Sequence, residues 1–512
     1  MKKNLLRKFA LALFFIVFFS GASHSQFSLT GQLRTRTEIR DGLGNLALID
    51  AKPAAFTSQR TRLSFGYKWD KVNMGVSVQD VRVWGQDASS ISNSDGARLA
   101  IHEAWAEIVF ANVADTSFKF KALQNLSLKI GRQELVYDDV RLLGNLDWLQ
   151  QGRRFDAVLL KAQHKGWALD IGGGFNQNND AFGTNGTYYV GGNVPSSALS
   201  TKNVNLTIPT GFLPTIAKNG SPVLLNAVST NGQNQMFKSF QMAYLARKFK
   251  QTKLSVLFFK DDFSKYRIDS IGSITNGYVY GRRYDQAGVN SRLTYGAMLT
   301  GNREVWKIGK VQWQVFGYLQ SGKDRDGLSI KGAYHYGANF MVQRGPISFG
   351  PGYEVLSGND GFKLKSGETH RFDPLYGTPH KHWGYMDYFY VGTGAPAGGL
   401  QDAFVKVKHA AKRLITTLDI HYFALAAATP NKLQDAPTGA KISPMLGMEY
   451  DVVLNYTLNK FTAIELGYSL IQGNNSLEYV KQNSMDKTRK TGQWGYLMLN
   501  IRPDFFYTSA KK

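Results

Sequence analysis

The sequence of 512 residues contains no cysteine. This absence excludes a disulfide framework, a lipid-modified N-terminal cysteine and thiolate metal sites. Only one stretch, Phe9–Phe19, is continuously apolar, and it is shorter than the roughly 20 residues that a membrane-spanning helix needs. Acidic residues are also scarce, with 38 against 61 lysines and arginines. The excess of basic side chains predicts an anionic partner.

The N-terminus has the pattern of a secretory signal peptide. Basic residues precede the apolar run, and small residues follow it in "SGASHSQ". We therefore predict cleavage near Ser25–Gln26, with residues 1–25 as signal peptide and 26–512 as one mature domain; a buried N-terminal helix is the alternative. An exported chain rarely meets nucleic acid, so we expect the basic charge to face an anionic substrate or lipopolysaccharide.

Apolar and polar residues alternate with a period of two along much of the mature chain. In "GQLRTRTEIR" (31–40) the polar face carries Arg34, Arg36 and Arg40, and in "SQRTRLSFGYKW" (58–69) it carries Arg60 and Arg62. The phase shifts by one residue at "QDVRVW", which predicts a β-bulge. Lipid would contact the apolar face and a wet lumen the polar one, so the pattern predicts an all-β, transmembrane antiparallel β-barrel of about 18 strands.

Several stretches depart from this alternation. Gly172–Gln235, Ser357–Leu400 and Ala426–Pro444 predict long loops, either extracellular or directed into the lumen. The C-terminal "GQWGYLMLNIRPDFFYTSAKK" predicts the aromatic-ended last strand that the outer-membrane barrel assembly machinery reads. The bacterial outer membrane is therefore the predicted location.

The stretch "GRQELVYDDVRLLGNLDWLQQGRRFDAVLL" (131–160) combines many charges with apolar residues. We interpret it as one strand, a turn region and the next strand, with charged groups along or at the rim of the lumen and Leu and Val against lipid. Rings of arginine favour anions in a pore. Acidic residues between them would hold the arginines extended through charge-assisted pairs.

This stretch, together with "QDVRVWG" (79–85) and "FDPLYGTPHKHWGYMDYF" (372–389), resembles the alginate export family of outer-membrane porins. The resemblance implies an 18-stranded monomeric barrel whose basic lumen passes an anionic polysaccharide, with outer-membrane lipid and periplasmic secretion components as further partners. It also implies a charged pore lining made of Asp80, Arg82, Arg132, Asp138, Asp139, Arg141, Arg153, Arg154 and Asp156.

The arginines of the two alternating strands form a predicted ladder of Arg34, Arg36, Arg40, Arg60 and Arg62. One interpretation is a selectivity surface in the lumen; the other is a set of rim arginines that bind lipopolysaccharide or water. A candidate gate loop contains His370, His380, His382 and Asp387. A metal site there would need a third well-placed ligand, so we predict no metal and no cofactor.

The sequence offers no catalytic constellation. Asp138 and Asp139 are adjacent, and the two carboxylates of a hydrolase must flank a substrate at set distances. We therefore predict a passive channel for an anionic polysaccharide or saccharide and not an enzyme. A general or oligosaccharide-uptake porin is the nearest alternative, and loops inserted into the lumen would favour it. A barrel enzyme and a soluble carbohydrate-binding protein are further alternatives.

Overall fold

A computed structural model describes residues 26–85, 99–113, 123–178, 189–190, 194–215, 237–392 and 394–507. The predicted signal peptide lies outside these residues. The described strands, in chain order, are β1 (Gln26–Asp41), β2 (Ala54–Trp69), β3 (Val72–Val83), β4 (Leu99–Asn112), β5 (Asn125–Gln133), β6 (Phe155–His164), β7 (Trp167–Phe175), β8 (Ser197–Leu199), β9 (Asn205–Thr207), β10 (Phe212–Pro214), β11 (Ser239–Phe249), β12 (Thr252–Ser264), β13 (Arg267–Ser273), β14 (Gly277–Arg283), β15 (Val289–Val305), β16 (Gly309–Lys323), β17 (Ser329–Arg344), β18 (Ile347–Leu356), β19 (Glu368–Thr369), β20 (Leu400–Ala410), β21 (Leu414–Ala424), β22 (Met445–Asn459), β23 (Thr462–Gly473), β24 (Thr491–Ile501) and β25 (Asp504–Tyr507).

Eighteen of these strands form a closed antiparallel barrel, as the sequence predicts. They are β1–β7, β11, β12, β15–β18 and β20–β24. Strand β1 pairs with β2 on one side and with β24 on the other, which closes the sheet. A closed barrel leaves no unpaired strand edge, so every backbone group of the wall can be satisfied within lipid.

The connections differ in length at the two ends of the barrel. At one end, two or three residues join β2 to β3, β6 to β7, β11 to β12 and the later pairs, and residues 113–124 form a longer connection from β4 to β5. The loops at the other end are mostly longer, including 134–154, 357–399, 425–444 and 474–490. Short periplasmic turns and long extracellular loops are usual in outer-membrane barrels. The long-loop end is therefore the extracellular end.

The extracellular loops carry small elements of their own. Strands β8 and β9 form a hairpin, and β10, β14 and β13 form a three-stranded sheet. One short helix, α1 (Asn475–Gln482), begins after Asn474, whose side chain accepts a hydrogen bond from the Leu477 backbone N–H. Among the described residues no helix is long and apolar enough to cross a membrane.

The predicted alternation is confirmed on β1 and β2. Arg34, Arg36 and Arg60 are almost completely buried inside the barrel, whereas Ile39 and Leu63 are exposed on the outside. Strands throughout the wall expose leucine, valine and aromatic side chains on this outer face. The outer face is therefore suited to lipid, which argues against a soluble protein.

The β-bulge expected in β3 lies on the neighbouring strand. Asp80 pairs with Thr61 and Arg82 with Gln59 without a register shift, so both charged residues stay on the outer face. The register shifts between β3 and β4, where His102 is the additional residue and is buried toward the interior. The apparent change of phase arises because charged residues replace apolar ones near the extracellular end of β3.

The C-terminus differs slightly from the expected last strand. β24 ends at Ile501, and the Pro503 carbonyl accepts a hydrogen bond from the Gly31 backbone N–H. The aromatic residues Phe505 and Phe506 then lie on the short strand β25, which pairs with the beginning of β1. The seam of the barrel therefore consists of β1 against two successive strands.

A hydrophobic core fills part of the barrel interior. Two segments from the extracellular end fold inward, which we call the first inward loop (residues 134–154) and the second inward loop (residues 370–392). Leu142 and Leu143 of the first pack with Tyr376, Trp383 and other aromatic residues of the second. The predicted order of strand, turn region and strand in 131–160 is confirmed, with β5 ending at Gln133 and β6 beginning at Phe155. The expectation that the leucines of this stretch contact lipid is wrong for Leu142 and Leu143, which are buried inside the barrel.

Candidate functional site in the barrel interior

The two inward loops are joined by backbone hydrogen bonds. Leu143 and Tyr376 form an isolated parallel bridge, in which the Tyr376 N–H donates to the Leu142 carbonyl at 2.9 Å and the Gly144 N–H donates to the Tyr376 carbonyl at 3.0 Å. The Thr378 N–H donates to the Val140 carbonyl at 2.8 Å. The loops therefore form a single folded unit across the lumen.

The arginine ladder holds the first inward loop against the wall. Arg34 donates to the carbonyl oxygens of Asp147 and Leu149, and Arg36 donates to that of Trp148 at 2.9 Å. Arg60 donates to the Asp147 carboxylate at 2.8 Å. The predicted ladder residues thus lie on the inner face, where they bind an anionic group and several carbonyls of the protein itself.

The remaining two ladder residues are less buried. Arg62 donates to the Gln79 side chain and lies 3.8 Å from Asp147. Arg40 pairs with Glu38 at the extracellular end of β1. Burial by itself would raise the pKa of Asp147, but Arg60 and the neighbouring guanidinium groups hold that pKa below its ordinary value. Asp147 is therefore an ionised carboxylate surrounded by arginines.

Asp138 anchors the opposite side of the first inward loop. Its carboxylate accepts hydrogen bonds from the Tyr244 hydroxyl at 2.7 Å, the Lys253 ammonium at 2.8 Å and the Ser255 hydroxyl at 2.8 Å. These partners stand on β11 and β12. Lys253 is thus an inner-wall cation that already has an acidic partner from a loop.

A buried ionic network lies next to this anchor. Arg141 contacts Asp139 at 2.8 Å and Glu354 of β18 at 2.5 Å, while its guanidinium group lies 3.6 Å from the centre of the Phe316 ring. Burial favours the neutral form of Asp139, yet Arg141 lowers the pKa of that carboxyl well below its usual range. The network fixes the first inward loop to the wall at β18.

The second inward loop contains the predicted gate residues. His380 stacks on Trp148 with ring centres 4.2 Å apart, and its Nδ1 lies 2.7 Å from the Asp387 carboxylate. His382 Nε2 lies 3.1 Å from the Asp139 carbonyl. His370 lies at the start of the loop, where its N–H donates to the Asn359 side chain. The described residues contain no cluster of side chains able to hold a metal ion.

Several predicted site residues lie away from the lumen. Arg132 and Asp156 form a bidentate pair on the outer face, in register with each other on β5 and β6. The next residue, Gln133, points to the opposite face of β5 and is fully buried in the interior. Asp80 and Arg82 form a similar outer pair on β3. The structure therefore places these four residues near the extracellular rim of the lipid-facing surface.

The two arginines before β6 have different surroundings. Arg153 donates to the Gly377 carbonyl at 2.7 Å, which adds a contact between the two inward loops. Arg154 precedes Phe155, which is buried at the start of β6. By the alternation of β6, Arg154 is on the same outer face as Asp156. Of these two arginines, only Arg153 therefore belongs to the interior unit, by which we mean the two joined inward loops.

Sequence reasoning missed the wall residues that hold the second inward loop. Glu449 of β22 accepts a hydrogen bond from the Met386 N–H at 2.7 Å. Arg292 of β15 joins Asp261 to Asp373, at 2.6 and 2.8 Å. In the sequence, each of these residues appears only as a charged residue on the inner face of a strand. Many other positions in the barrel have the same appearance, so the sequence does not single these residues out.

Comparison with known proteins agrees with the fold. The alginate export family model matches residues 26–172, which confirms the resemblance in that part of the chain. No curated protein matches the sequence significantly. Three structures share the fold, each covering at least 93% of both chains: OccAB2 of Acinetobacter baumannii (TM-score 0.54, 11% identity, covering 94% and 98%), OccK9 (OpdG) of Pseudomonas aeruginosa (0.52, 12%, 93% and 98%) and the outer membrane protein opdK of Pseudomonas aeruginosa (0.51, 11%, 94% and 99%).

These comparisons define the class of protein. The family match covers the first part of the barrel, including the arginine ladder and the first inward loop. At 10–12% identity the solved structures support the architecture over 93–95% of the chain and not its substrate. The protein is therefore a porin-type β-barrel of the bacterial outer membrane, whose residues 26–172 match the alginate export family.

Proposed function

We propose that the protein is a passive outer-membrane channel for anionic saccharides of the alginate type, in which the two inward loops form a gate. The arginine ladder is the observation that carries this proposal. Arg34, Arg36, Arg60 and Arg62 lie around residues 147–149 of the first inward loop, where Asp147 supplies a carboxylate to three of them. Movement of that segment would expose several guanidinium groups to a passing anion.

The chemistry of the ladder suits a uronate. Arginine binds carboxylates through charge-assisted hydrogen bonds, and low-dielectric walls concentrate anions near such groups. Asp147 thus occupies the place that a substrate carboxylate would take. Neighbouring acids such as Glu38 limit the net charge, and conduction requires binding that is weak enough for release.

A second candidate function is uptake of oligosaccharides. The inward loops pack into the barrel interior, and this insertion favours a channel for short saccharides over one for a long polymer. Both candidate functions involve an anionic saccharide as the substrate. They differ in the length of chain that the open channel passes.

Planar-bilayer recording tests the proposal. We expect the purified full chain to carry anion-selective current in a salt gradient, and alginate or uronate oligomers to block that current. The double variant Arg34→Gln with Arg60→Gln should lose much of the anion preference, whereas Arg132→Gln on the outer face is the matched control. Unchanged selectivity in the double variant would overturn the proposal.

The length of the blocking saccharide separates the two candidates. Block by long alginate from the periplasmic side would support polymer export. Block and permeation by short uronates alone, measured as substrate entry into protein-containing vesicles, would support oligosaccharide uptake. Current without either effect would show a general porin.

A further inference from the structure

A cavity of about 660 Å³ lies at the extracellular end of the barrel, outside the ladder region. Three segments enclose it: the 357–399 loop, the 425–444 loop and the C-terminal part of α1 with Asn483. We call it the vestibule cavity. Its volume lies within the range of roughly 300–1,000 Å³ that is common for ligand pockets.

The lining of the vestibule cavity combines basic and polar side chains with apolar ones such as Leu364 and Val480. It contains Lys432 and Lys481, and none of its lining residues is acidic. Lys432 is exposed, and no side-chain partner of its ammonium group is found among the described residues. Asn359 and Asn483 add amide groups, and Thr429 adds a hydroxyl. Cations beside amides and hydroxyls are suited to a carboxylate attached to a polyhydroxylated ring.

We propose that the vestibule cavity binds a uronate unit of an anionic saccharide, with Lys432 contacting the carboxylate. The proposal rests on the proposed function for the class of saccharide, and it adds a binding site on the extracellular side of the gate. A site at this end would raise the local concentration of substrate arriving from outside the cell. It thereby supports entry from the extracellular side.

Lys481 connects the vestibule cavity to the gate. Lys481 lines the cavity, and its ammonium group donates to the Tyr388 carbonyl of the second inward loop at 2.8 Å. The preceding residue, Asp387, bonds to His380, which stacks on Trp148 of the first inward loop. A uronate that reaches Lys481 would compete with the Tyr388 carbonyl. Occupancy of the cavity would therefore weaken one attachment of the gate.

Equilibrium binding to the detergent-purified full chain tests the site directly. The probe is digalacturonate, a uronate disaccharide, and a neutral disaccharide serves as its uncharged comparison in titration calorimetry. We expect Lys432→Gln to weaken digalacturonate binding by about tenfold, the scale of one charge-assisted hydrogen bond. Lys363→Gln is the matched control because this lysine is exposed on the 357–399 loop and does not line the cavity.

The outcomes separate this proposal from the proposed function. Absence of digalacturonate binding, equal binding of the neutral disaccharide, or equal loss in Lys363→Gln and Lys432→Gln would overturn the vestibule site. Binding that depends on Lys432 together with a current lacking anion selectivity would leave the vestibule site standing and overturn the channel proposal. Circular dichroism of each variant confirms that the barrel remains folded.

Discussion

Arg34 and Arg60 lie directly opposite each other in the ladder between β1 and β2, and both contact Asp147. Like charges at directly opposed positions of a sheet destabilise the pairing. Here the shared carboxylate of Asp147 and the carbonyl oxygens of the first inward loop offset the repulsion. The attachment of the loop and the stability of this part of the wall are therefore linked.

Replacing Asp147 by asparagine should loosen the first inward loop. The change removes the carboxylate that Arg34 and Arg60 share, while the carbonyl contacts remain. We expect more frequent channel opening in planar bilayers and stronger anion selectivity. Asp435→Asn, at an exposed position of the 425–444 loop, should leave both unchanged. Identical opening in Asp147→Asn and the natural sequence would show that the ladder does not restrain the gate.

Replacing Arg141 by methionine should destabilise the interior unit. Asp139 and Glu354 would lose their common cation and remain buried as carboxyl groups. Removing one partner of a buried ionic network costs about 3–5 kcal/mol. The free energy of unfolding, measured by urea denaturation in lipid vesicles, should fall by that amount. Arg132→Met, at a partly exposed pair, should cost no more than about 1 kcal/mol.

Charge reversal on the outer face should not alter ion selectivity. Arg132 and Asp156 pair on the lipid-facing surface, away from the conduction path. We expect Arg132→Glu combined with Asp156→Arg to preserve the reversal potential in a salt gradient. A shifted reversal potential would instead place this pair along the path of the ions.

A methyl group at Gly377 should separate the two inward loops. A Cβ atom there would meet the Arg141 carbonyl, which is backbone and cannot move aside as a flexible side chain would. We expect Gly377→Ala to increase single-channel conductance. Gly367→Ala is a poor control because that residue has a positive φ, whereas Gly392→Ala meets no neighbouring atom and should behave like the natural sequence.

Binding of uronates should strengthen as pH falls through neutrality. Burial lowers the pKa of Lys481 from 10.5 to about 7, with Asp387 opposing part of that shift. Lys481 is therefore largely neutral at pH 8.5 and largely charged at pH 6, while Lys432, across the vestibule cavity, is the other cation. Digalacturonate should bind more tightly at pH 6 than at pH 8.5. Lys481→Met should remove this difference, and Lys432→Gln should retain it.

The alternation of side chains was sufficient to predict the wall. Arg34 and Arg60 face inward and Ile39 faces outward because each strand side is fixed by a period of two. That pattern specifies which residues share a face. It was therefore informative for long strands such as β1 and β2, where lipid and the interior impose opposite preferences.

The inward loops could not be predicted in the same way. Leu142 and Leu143 are apolar whether they contact lipid or an interior core, so their composition does not distinguish the two environments. The placement of Arg132 shows the converse difficulty, since a charge at the rim of the outer face has the same sequence signature as one in the lumen. Both decisions depend on contacts between residues far apart in sequence.

The joined inward loops have a consequence for the time course of conduction. Their bridge at Leu143 and Tyr376, and the stack of His380 on Trp148, involve both loops at once. Release of either loop alone would leave buried backbone groups unpaired, which is costly. Single-channel records should therefore show long-lived, discrete closed and open levels, with abrupt steps between them in place of a graded flicker.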